Sequence, residues 1–283
     1  MLTTTRRITA RELTFEVRAG GPDDGDPVLL LHGFPQHSAE WDGVVPALHA
    51  AGLRSYALDQ RGYSPGARPK DVAAYAMGEC VGDVLAVLDE LQVPTVHLVG
   101  HDWGSLVAWE VAARHPDRVQ SLTAVSVPHP AAMSRAMATD PEQRTKSAYI
   151  TFFRRPVGEP EAALLADGSA KLRALLAGVG EDRVDAYAEP MSDPEMLTAA
   201  LNWYRAMPAR GFGTVPPVAV PTTFVWSDGD IAVSRTAAQA CADQVTGDYR
   251  FVELPGVTHW IPDEAPAALA EAILARIVPG RES

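Results

Sequence analysis

The fold is decided by the stretch Val96-His97-Leu98-Val99-Gly100-His101-Asp102-Trp103-Gly104-Ser105. An apolar, β-branched run leads into Asp102 and a helical pattern follows it, with one glycine two residues before Asp102 and another two residues after it. Glycine permits a tight turn and a close contact between strand and helix, because it has no Cβ atom. The stretch therefore predicts a sharp strand-to-helix turn that lifts the Asp102 side chain clear of the sheet.

Asp102 occupies the point of this turn, where many enzymes built on such a turn carry a serine. A serine attacks a carbonyl carbon, whereas a carboxylate that did so would form a reactive mixed anhydride. A carboxylate is better suited to displacing a leaving group from a saturated carbon, which gives an alkyl ester that water can cleave. This chemistry favours strained ethers or alkyl halides over esters as substrates.

The composition is that of an ordinary globular chain with an acidic balance. The 283 residues are 47% hydrophobic and 21% charged, which suits one large α/β domain with an insertion. A net charge of −12 argues against nucleic acid or an anionic membrane surface as a partner, because either requires a basic face. Cys80 and Cys241 lack metal-ligand or redox spacing, so we expect no metal and no cofactor. No apolar run has the length of a signal peptide or a membrane span, so we expect a cytoplasmic protein.

Apolar runs alternate with helical patterns along most of the chain, which is typical of βαβ units and a mostly parallel sheet. Helices are predicted at 106–114 and 266–277, and the apolar spacing from Val81 to Leu91 predicts another. Seven strands can be placed, at residues 13–17, 28–31, 54–58, 96–100, 122–127, 222–225 and 249–254.

The alternation fails between about residues 130 and 213, where helix formers and prolines are frequent and no strand pattern occurs. We therefore predict a core domain at residues 1–130 and 214–283. Residues 131–213 are predicted to form a helical lid, inserted after the sixth core strand.

An ester on Asp102 can be hydrolysed only with a base that activates water and an acid that orients this base. In α/β-hydrolases the order along the chain is nucleophile, acid, histidine. His259 lies in the loop between the last predicted strand and the last predicted helix, where the base is expected. The acid is expected after strand 222–225, where both Asp228 and Asp230 occur. We favour Asp230, one residue beyond the turn glycine, and keep Asp228 as the alternative because it can cap that turn.

The oxyanion of the hydrolysis step requires backbone N–H donors. In α/β-hydrolases, one belongs to the residue after the nucleophile, which is Trp103 here, and the other to a loop after an early core strand. The segment Leu31-His32-Gly33-Phe34-Pro35 follows an apolar strand well upstream of Asp102. We therefore predict that the Phe34 N–H is the second donor.

These motifs together resemble the epoxide hydrolase branch of the α/β-hydrolase superfamily, and the resemblance covers nearly the whole chain. It implies an α/β-hydrolase fold, with a mostly parallel eight-stranded sheet flanked by helices and an inserted helical lid. It also implies two lid tyrosines that hydrogen-bond the epoxide oxygen, and Tyr149 and Tyr204 lie in matching contexts. The expected reactants are a small apolar epoxide and water, and a homodimer is compatible with the sequence.

Haloalkane and haloacid dehalogenases are the alternative, because the haloalkane enzymes share the aspartate turn and often the tryptophan after it. They hold the departing halide with two side-chain N–H donors, of which Trp103 could be one, but Phe34 stands where an asparagine is needed. Fluoroacetate dehalogenases need arginines near the nucleophile, where this chain has Trp103 and apolar residues. A ligand-binding protein on a hydrolase scaffold predicts a damaged triad, whereas Asp102, Asp230 and His259 are all present.

Overall fold

An eight-stranded sheet forms the centre of the structure, a computed structural model that describes residues 3–208 and 214–278. The strand order across the sheet is β1-β2-β4-β3-β5-β6-β7-β8. β2 runs antiparallel to both of its neighbours, and the pairs from β4 to β8 are all parallel. The strands are β1 Thr4–Ala10, β2 Leu13–Gly20, β3 Pro27–Leu31, β4 Arg54–Leu58, β5 Val96–His101, β6 Val119–Val125, β7 Thr222–Ser227 and β8 Tyr249–Leu254.

The predicted mostly parallel, eight-stranded sheet is thus confirmed, and the strand that the sequence did not reveal is β1. Its sequence is Thr-Thr-Arg-Arg-Ile-Thr-Ala, and nearly all of its side chains are exposed at the sheet edge. An edge strand that buries neither face has no alternation of apolar residues to detect.

The predicted bounds of the strand at 122–127 are wrong at both ends. β6 begins three residues earlier than predicted, at Val119. It ends at Val125, because Ser126 adopts a φ of +67° that breaks the extended backbone.

Helices cover both faces of the sheet and bury alternate residues of each strand. In β3, Leu29 and Leu31 pack towards the face that carries α2 and α3, whereas Val28 and Leu30 pack towards the face that carries α1 and α12. The helices outside the β6–β7 connection are α1 Val45–Ala50, α2 Met77–Glu90, α3 Trp103–Arg114, α10 Arg235–Gln239, α11 Ile261–Glu264 and α12 Pro266–Ile277. Short 3₁₀ helices lie at Ser38–Gly43, Val72–Tyr75, Pro116–Arg118 and Ala240–Gln244.

The connection from β6 to β7 is helical in its described part. It contains α4 Pro130–Thr139, α5 Pro141–Lys146, α6 Tyr149–Phe153, α7 Glu159–Leu175, α8 Glu181–Met191 and α9 Pro194–Arg205. The backbone of α7 departs from helical angles at Ala166–Ser169. These helices fall in the range predicted for the lid, and the predicted lid end at residue 213 lies outside the described residues. Within 3–208 and 214–278, no helix combines the length and apolar character needed to cross a membrane.

Candidate active site

The residues of the candidate site come from loops at one edge of the sheet. Asp102 directly follows β5, Ser126 directly follows β6, Asp230 lies three residues beyond β7 and His259 lies in the loop after β8. Because the carboxyl ends of parallel strands meet at the same edge, residues far apart in the chain come together there. Phe34, in the loop after β3, completes the group.

The turn that carries Asp102 is tight and strained. Asp102 has a φ of +52°, a backbone conformation that residues other than glycine rarely adopt. A Cβ atom at Gly100 would lie 2.2 Å from the carbonyl oxygen of Gly104, and one at Gly104 would lie 2.0 Å from that of Leu31. Only glycine therefore fits at either position, and the predicted strand-to-helix turn is present.

The Asp102 carboxylate is anchored at one oxygen and faces the histidine with the other. The backbone N–H of Phe34 donates to Oδ1 at 2.8 Å, and Oδ2 lies 3.6 Å from Nε2 of His259. Of the two predicted oxyanion donors, Phe34 but not Trp103 is hydrogen-bonded to this carboxylate within the described residues. Burial alone would raise the pKa of Asp102, but attraction to His259 outweighs burial and lowers it. Asp102 is therefore an anion, as a nucleophilic carboxylate must be.

Asp230, and not Asp228, pairs with the histidine. Nδ1 of His259 lies 3.1 Å from Oδ1 and 3.2 Å from Oδ2 of Asp230, which is fully buried. Asp228 is exposed, and its Oδ1 accepts a hydrogen bond at 2.7 Å from the N–H of Gly256, which lies in the loop after β8 and not in the turn that Asp228 was expected to cap. Burial would lower the pKa of His259, but Asp230 and Asp102 together raise it to about 10. The structure thus brings together Asp102, His259 and Asp230.

Ser126 is a site residue that the sequence did not reveal. Its Oγ donates to Oδ2 of Asp230 at 2.6 Å and lies 2.8 Å from Nδ1 of His259, so it bridges the two side chains. It is fully buried, and its N–H donates to the carbonyl oxygen of Val225 at 2.8 Å. Its position directly after β6 is the only sequence signal.

A buried pair behind the triad holds the backbone of His259. Nδ1 of His101 lies 3.2 Å from Oε2 of Glu40, and Nε2 of His101 lies 3.0 Å from the carbonyl oxygen of His259. Burial lowers the pKa of His101 to about 4 and raises that of Glu40. Both groups are therefore neutral, so Glu40 donates to His101 and His101 donates to the carbonyl of His259.

Tyr149 and Tyr204 lie in the same cavity as Asp102 and His259. We call this cavity of about 70 Å³ the front cavity, and its remaining wall is apolar, with Phe34, Phe153, Leu175, Ile231 and Trp260. The two tyrosine rings have their centroids 6.2 Å apart. Burial, with the nearby Asp102 carboxylate, raises the pKa of both phenols. Both therefore stay protonated and can donate hydrogen bonds.

The helices between β6 and β7 hold the loops that carry the triad. On α5, Gln143 donates to the carbonyl oxygen of Ala232 at 2.8 Å, and Lys146 donates to that of Asp230. On α8, Arg183 and Tyr187 each donate to Oδ1 of Asp263 at 2.8 Å, four residues beyond His259. The loop that carries Asp230 and the segment that follows His259 are therefore each tied to a different helix of this region.

Comparison with known proteins gives matches over nearly the whole chain. Residues 26–266 match the family model described as alpha/beta hydrolase fold. The chain is 32% identical over 275 residues to the AB hydrolase superfamily protein YfhM of Bacillus subtilis, covering 94% of this chain and 95% of that protein. It is 31% identical over 303 residues to epoxide hydrolase A of Mycobacterium tuberculosis, covering 91% and 92%. A solved structure described as a novel epoxide hydrolase from metagenomes of hot environments superimposes with a TM-score of 0.88 at 26% identity, covering 99% of this chain and 100% of that one.

Proposed function

The chain belongs to the epoxide hydrolase branch of the α/β-hydrolase family, and on this premise we propose that it converts an epoxide to a vicinal diol through a covalent ester on Asp102. One observation carries the proposal. Two protonated phenols, the buried Tyr204 and the partly buried Tyr149, share a cavity with a carboxylate whose other oxygen is already held by the Phe34 N–H. That combination supplies a nucleophile for carbon and donors for an oxygen that becomes an alkoxide.

In the first step, Oδ2 of Asp102 attacks one ring carbon while the C–O bond to that carbon breaks. The electron pair of the broken bond goes to the epoxide oxygen, which Tyr149 and Tyr204 stabilise by hydrogen bonding. The alkoxide takes a proton from a phenol, and the protonated His259 restores it. The result is a hydroxyalkyl ester on Asp102 and a neutral imidazole.

In the second step, His259 takes a proton from water, and the resulting hydroxide attacks the Asp102 carbonyl carbon. The negative charge develops on Oδ1, which already accepts the Phe34 N–H at 2.8 Å. The tetrahedral intermediate then collapses, the C–O bond of the ester breaks at the carbonyl carbon, and the diol leaves with one proton of the attacking water. Asp102 is again a carboxylate, His259 is again protonated, and the sum is epoxide plus water giving diol.

The loss of the Asp102 charge explains how one histidine serves both steps. In the free enzyme Asp102 and Asp230 together raise the pKa of His259, which keeps it protonated as a proton source. Esterification removes one of these two negative charges, so the pKa of His259 falls and its imidazole becomes available as a base. The chemistry of the first step thus prepares the second.

The same site offers less to a departing halide. A haloalkane dehalogenase needs two side-chain N–H donors beside the leaving group, and Phe34 lines the front cavity with an apolar ring where an asparagine would supply one of them, while the hydroxyl donors beside Asp102 are the phenols of Tyr149 and Tyr204. Halide displacement therefore remains the second candidate function.

Product analysis tests the proposal. We expect the purified protein to convert a terminal alkyl epoxide to its diol and to release little halide from the matching alkyl bromide. Asp102→Asn is expected to abolish diol formation, whereas the matched variant Asp228→Asn is expected to retain it, because Asp228 is exposed and outside the triad. Halide release without diol formation would overturn the assignment.

A further inference from the structure

The reacting centre lies between two cavities of unequal size. Asp102, Tyr149 and Tyr204 line the front cavity of about 70 Å³ and also a second cavity of about 20 Å³, which we call the rear cavity. Apart from Ser147, the remaining wall of the rear cavity is mainly apolar and includes Leu106, Val127, Met133, Ile150, Met207 and Val233. An epoxide held between Asp102 and the tyrosines therefore points the substituents of its two carbons in different directions, one into each cavity.

The two cavities differ in what they can accept. The rear cavity has less than a third of the volume of the front cavity, so it can accept only a small group. The front cavity is larger and reaches the surface, because Ile231 in its wall is 54% exposed. A longer substituent can therefore extend outwards through the front cavity but has no room in the rear cavity.

A thin partition closes the rear cavity. On its far side lies a third cavity of about 140 Å³, with Tyr75, Met77 and Trp203 in its wall. The rear and third cavities share three lining residues, Trp103, Leu106 and Met207. Trp103 and Leu106 belong to α3 and follow the nucleophile, whereas Met207 lies just beyond α9 and is only partly buried. Met207 is therefore the member of the partition that can be shortened without altering the nucleophile turn.

We propose that the substrates are terminal epoxides, or epoxides with no more than a methyl group on the second carbon, and that Met207 sets this limit. The single long substituent is apolar and occupies the front cavity, where the one cationic side chain among the described residues, His259, is already paired with Asp230 and Asp102. A carboxylate on the substrate would face the Asp102 anion without a partner, so acidic epoxides are excluded. This inference rests on the proposed epoxide hydrolysis.

Three alkyl epoxides of graded size test the limit in the wild-type protein. They carry hydrogen, methyl or butyl on the second carbon and butyl on the first: 1,2-epoxyhexane, trans-2,3-epoxyheptane and trans-5,6-epoxydecane. A misplaced methylene changes kcat/KM by about 10-fold to 200-fold, so we expect the dibutyl epoxide to react at least about 100-fold more slowly than the terminal one. The methyl-substituted epoxide should stay within about 10-fold of the terminal one.

Met207→Ala tests the partition. Joining the rear cavity to the third one should make the ratio of kcat/KM for terminal over dibutyl epoxide fall by about 10-fold or more. Met77→Ala is the matched control, because Met77 is equally partly buried and lines the third cavity without lining the rear one. Met207→Leu, which nearly keeps the side-chain volume, should retain the wild-type ratio of kcat/KM for the terminal over the dibutyl epoxide. If Met207→Ala does not fold, Met207→Val gives the same test with a smaller deletion.

The outcomes separate this inference from the proposed function. Equal rates of the terminal and dibutyl epoxides in the wild type would overturn the substrate limit while leaving epoxide hydrolysis intact. An unchanged ratio in a folded Met207→Ala or Met207→Val protein would overturn the role of Met207. A wild-type protein that hydrolyses none of the three epoxides would overturn the proposed function itself.

Discussion

At the scale of single residues, the charge on Asp102 controls the protonation of His259. The free enzyme has His259 with a pKa raised to about 10, and esterification of Asp102 removes one of the two carboxylates that raise it. Hydrolysis of the ester requires neutral imidazole, so its rate should rise with pH through a pKa below that of the free enzyme and then level off.

Ester formation requires ionised Asp102 and protonated His259, so its rate should be flat above the lowered pKa of Asp102 and fall as pH approaches about 10. Stopped-flow tryptophan fluorescence with excess enzyme can separate the two steps. A hydrolysis rate that keeps rising to the pKa of the free enzyme would contradict the charge coupling.

Ser126 makes a second residue-scale prediction. Its hydroxyl bridges Asp230 at 2.6 Å and His259 at 2.8 Å, so Ser126→Ala should slow ester hydrolysis by about 10-fold, the equivalent of one hydrogen bond of about 1.4 kcal/mol. Ser126→Gly removes the same hydroxyl but suits the φ of +67° better, so it should slow the reaction equally while unfolding at a higher temperature than Ser126→Ala. A normal hydrolysis rate in Ser126→Gly would mean that only the backbone at this position matters.

The convergence of Asp102, His259 and Asp230 could be predicted because each lies at a fixed place relative to a strand and a turn. Ser126 could not, since a serine after a strand is common and only the distances to Asp230 and His259 give it a role. The Phe34 donor was predictable from the His-Gly pair after an apolar strand, and the structure finds it on Asp102 at 2.8 Å.

At the scale of elements, the β5–α3 turn depends on the absence of a side chain at Gly104. A methyl group there would lie 2.0 Å from the carbonyl oxygen of Leu31, so Gly104→Ala should lower the free energy of unfolding by about 3 kcal/mol or more. Gly78→Ala on α2 is the control, because a Cβ atom there meets nothing within 4 Å and alanine favours a helix by about 1 kcal/mol. Urea unfolding followed by circular dichroism measures both, and equal stabilities of the two variants would show that the turn tolerates a side chain.

Element prediction succeeded for strands and helices that bury a face, and it failed for the exposed edge strand β1 and for the ends of the buried strand β6. The helix from Pro266 to Ile277 has the predicted bounds because its buried residues recur at helical spacing. β1 was not predicted because its exposed side chains show no alternation of apolar and polar residues. β6 ends before its predicted last residue because Ser126 turns the backbone.

At the scale of the whole molecule, Asp263 ties α8 to the loop of His259. It accepts hydrogen bonds from Arg183, Tyr187 and Gln36, and its side chain is almost fully buried. Asp263→Ala leaves these donors without a common acceptor, so we expect a loss of about 2 kcal/mol in stability and faster proteolysis in the β6–β7 region. Asp243→Ala is the control, because the Asp243–Arg135 pair is exposed and such pairs contribute about 0–1 kcal/mol. Equal proteolysis rates of the two variants would contradict the proposal that Asp263 holds α8 to the loop of His259.

The order of core and inserted helices follows from the sequence, but the packing between them does not. The direction that Met207, Ile150 or Phe153 faces depends on how the helices between β6 and β7 dock on the sheet edge, and no periodicity in one chain encodes that docking. The sizes of the cavities, and with them the proposed substrate limit, therefore depend on this packing and cannot be read from the sequence.

The ester that Asp102 is proposed to form with the ring-opened epoxide can be detected directly in the intact mass of His259→Gln after exposure to 1,2-epoxyhexane. Without the base the ester should persist, so we expect a mass increase equal to the whole epoxide, because the leaving oxygen stays attached to the carbon chain. Peptide mapping should place this increase on the peptide that contains Asp102. A folded His259→Gln protein that gains no mass with this epoxide, or gains it on a peptide without Asp102, would contradict the proposed ester.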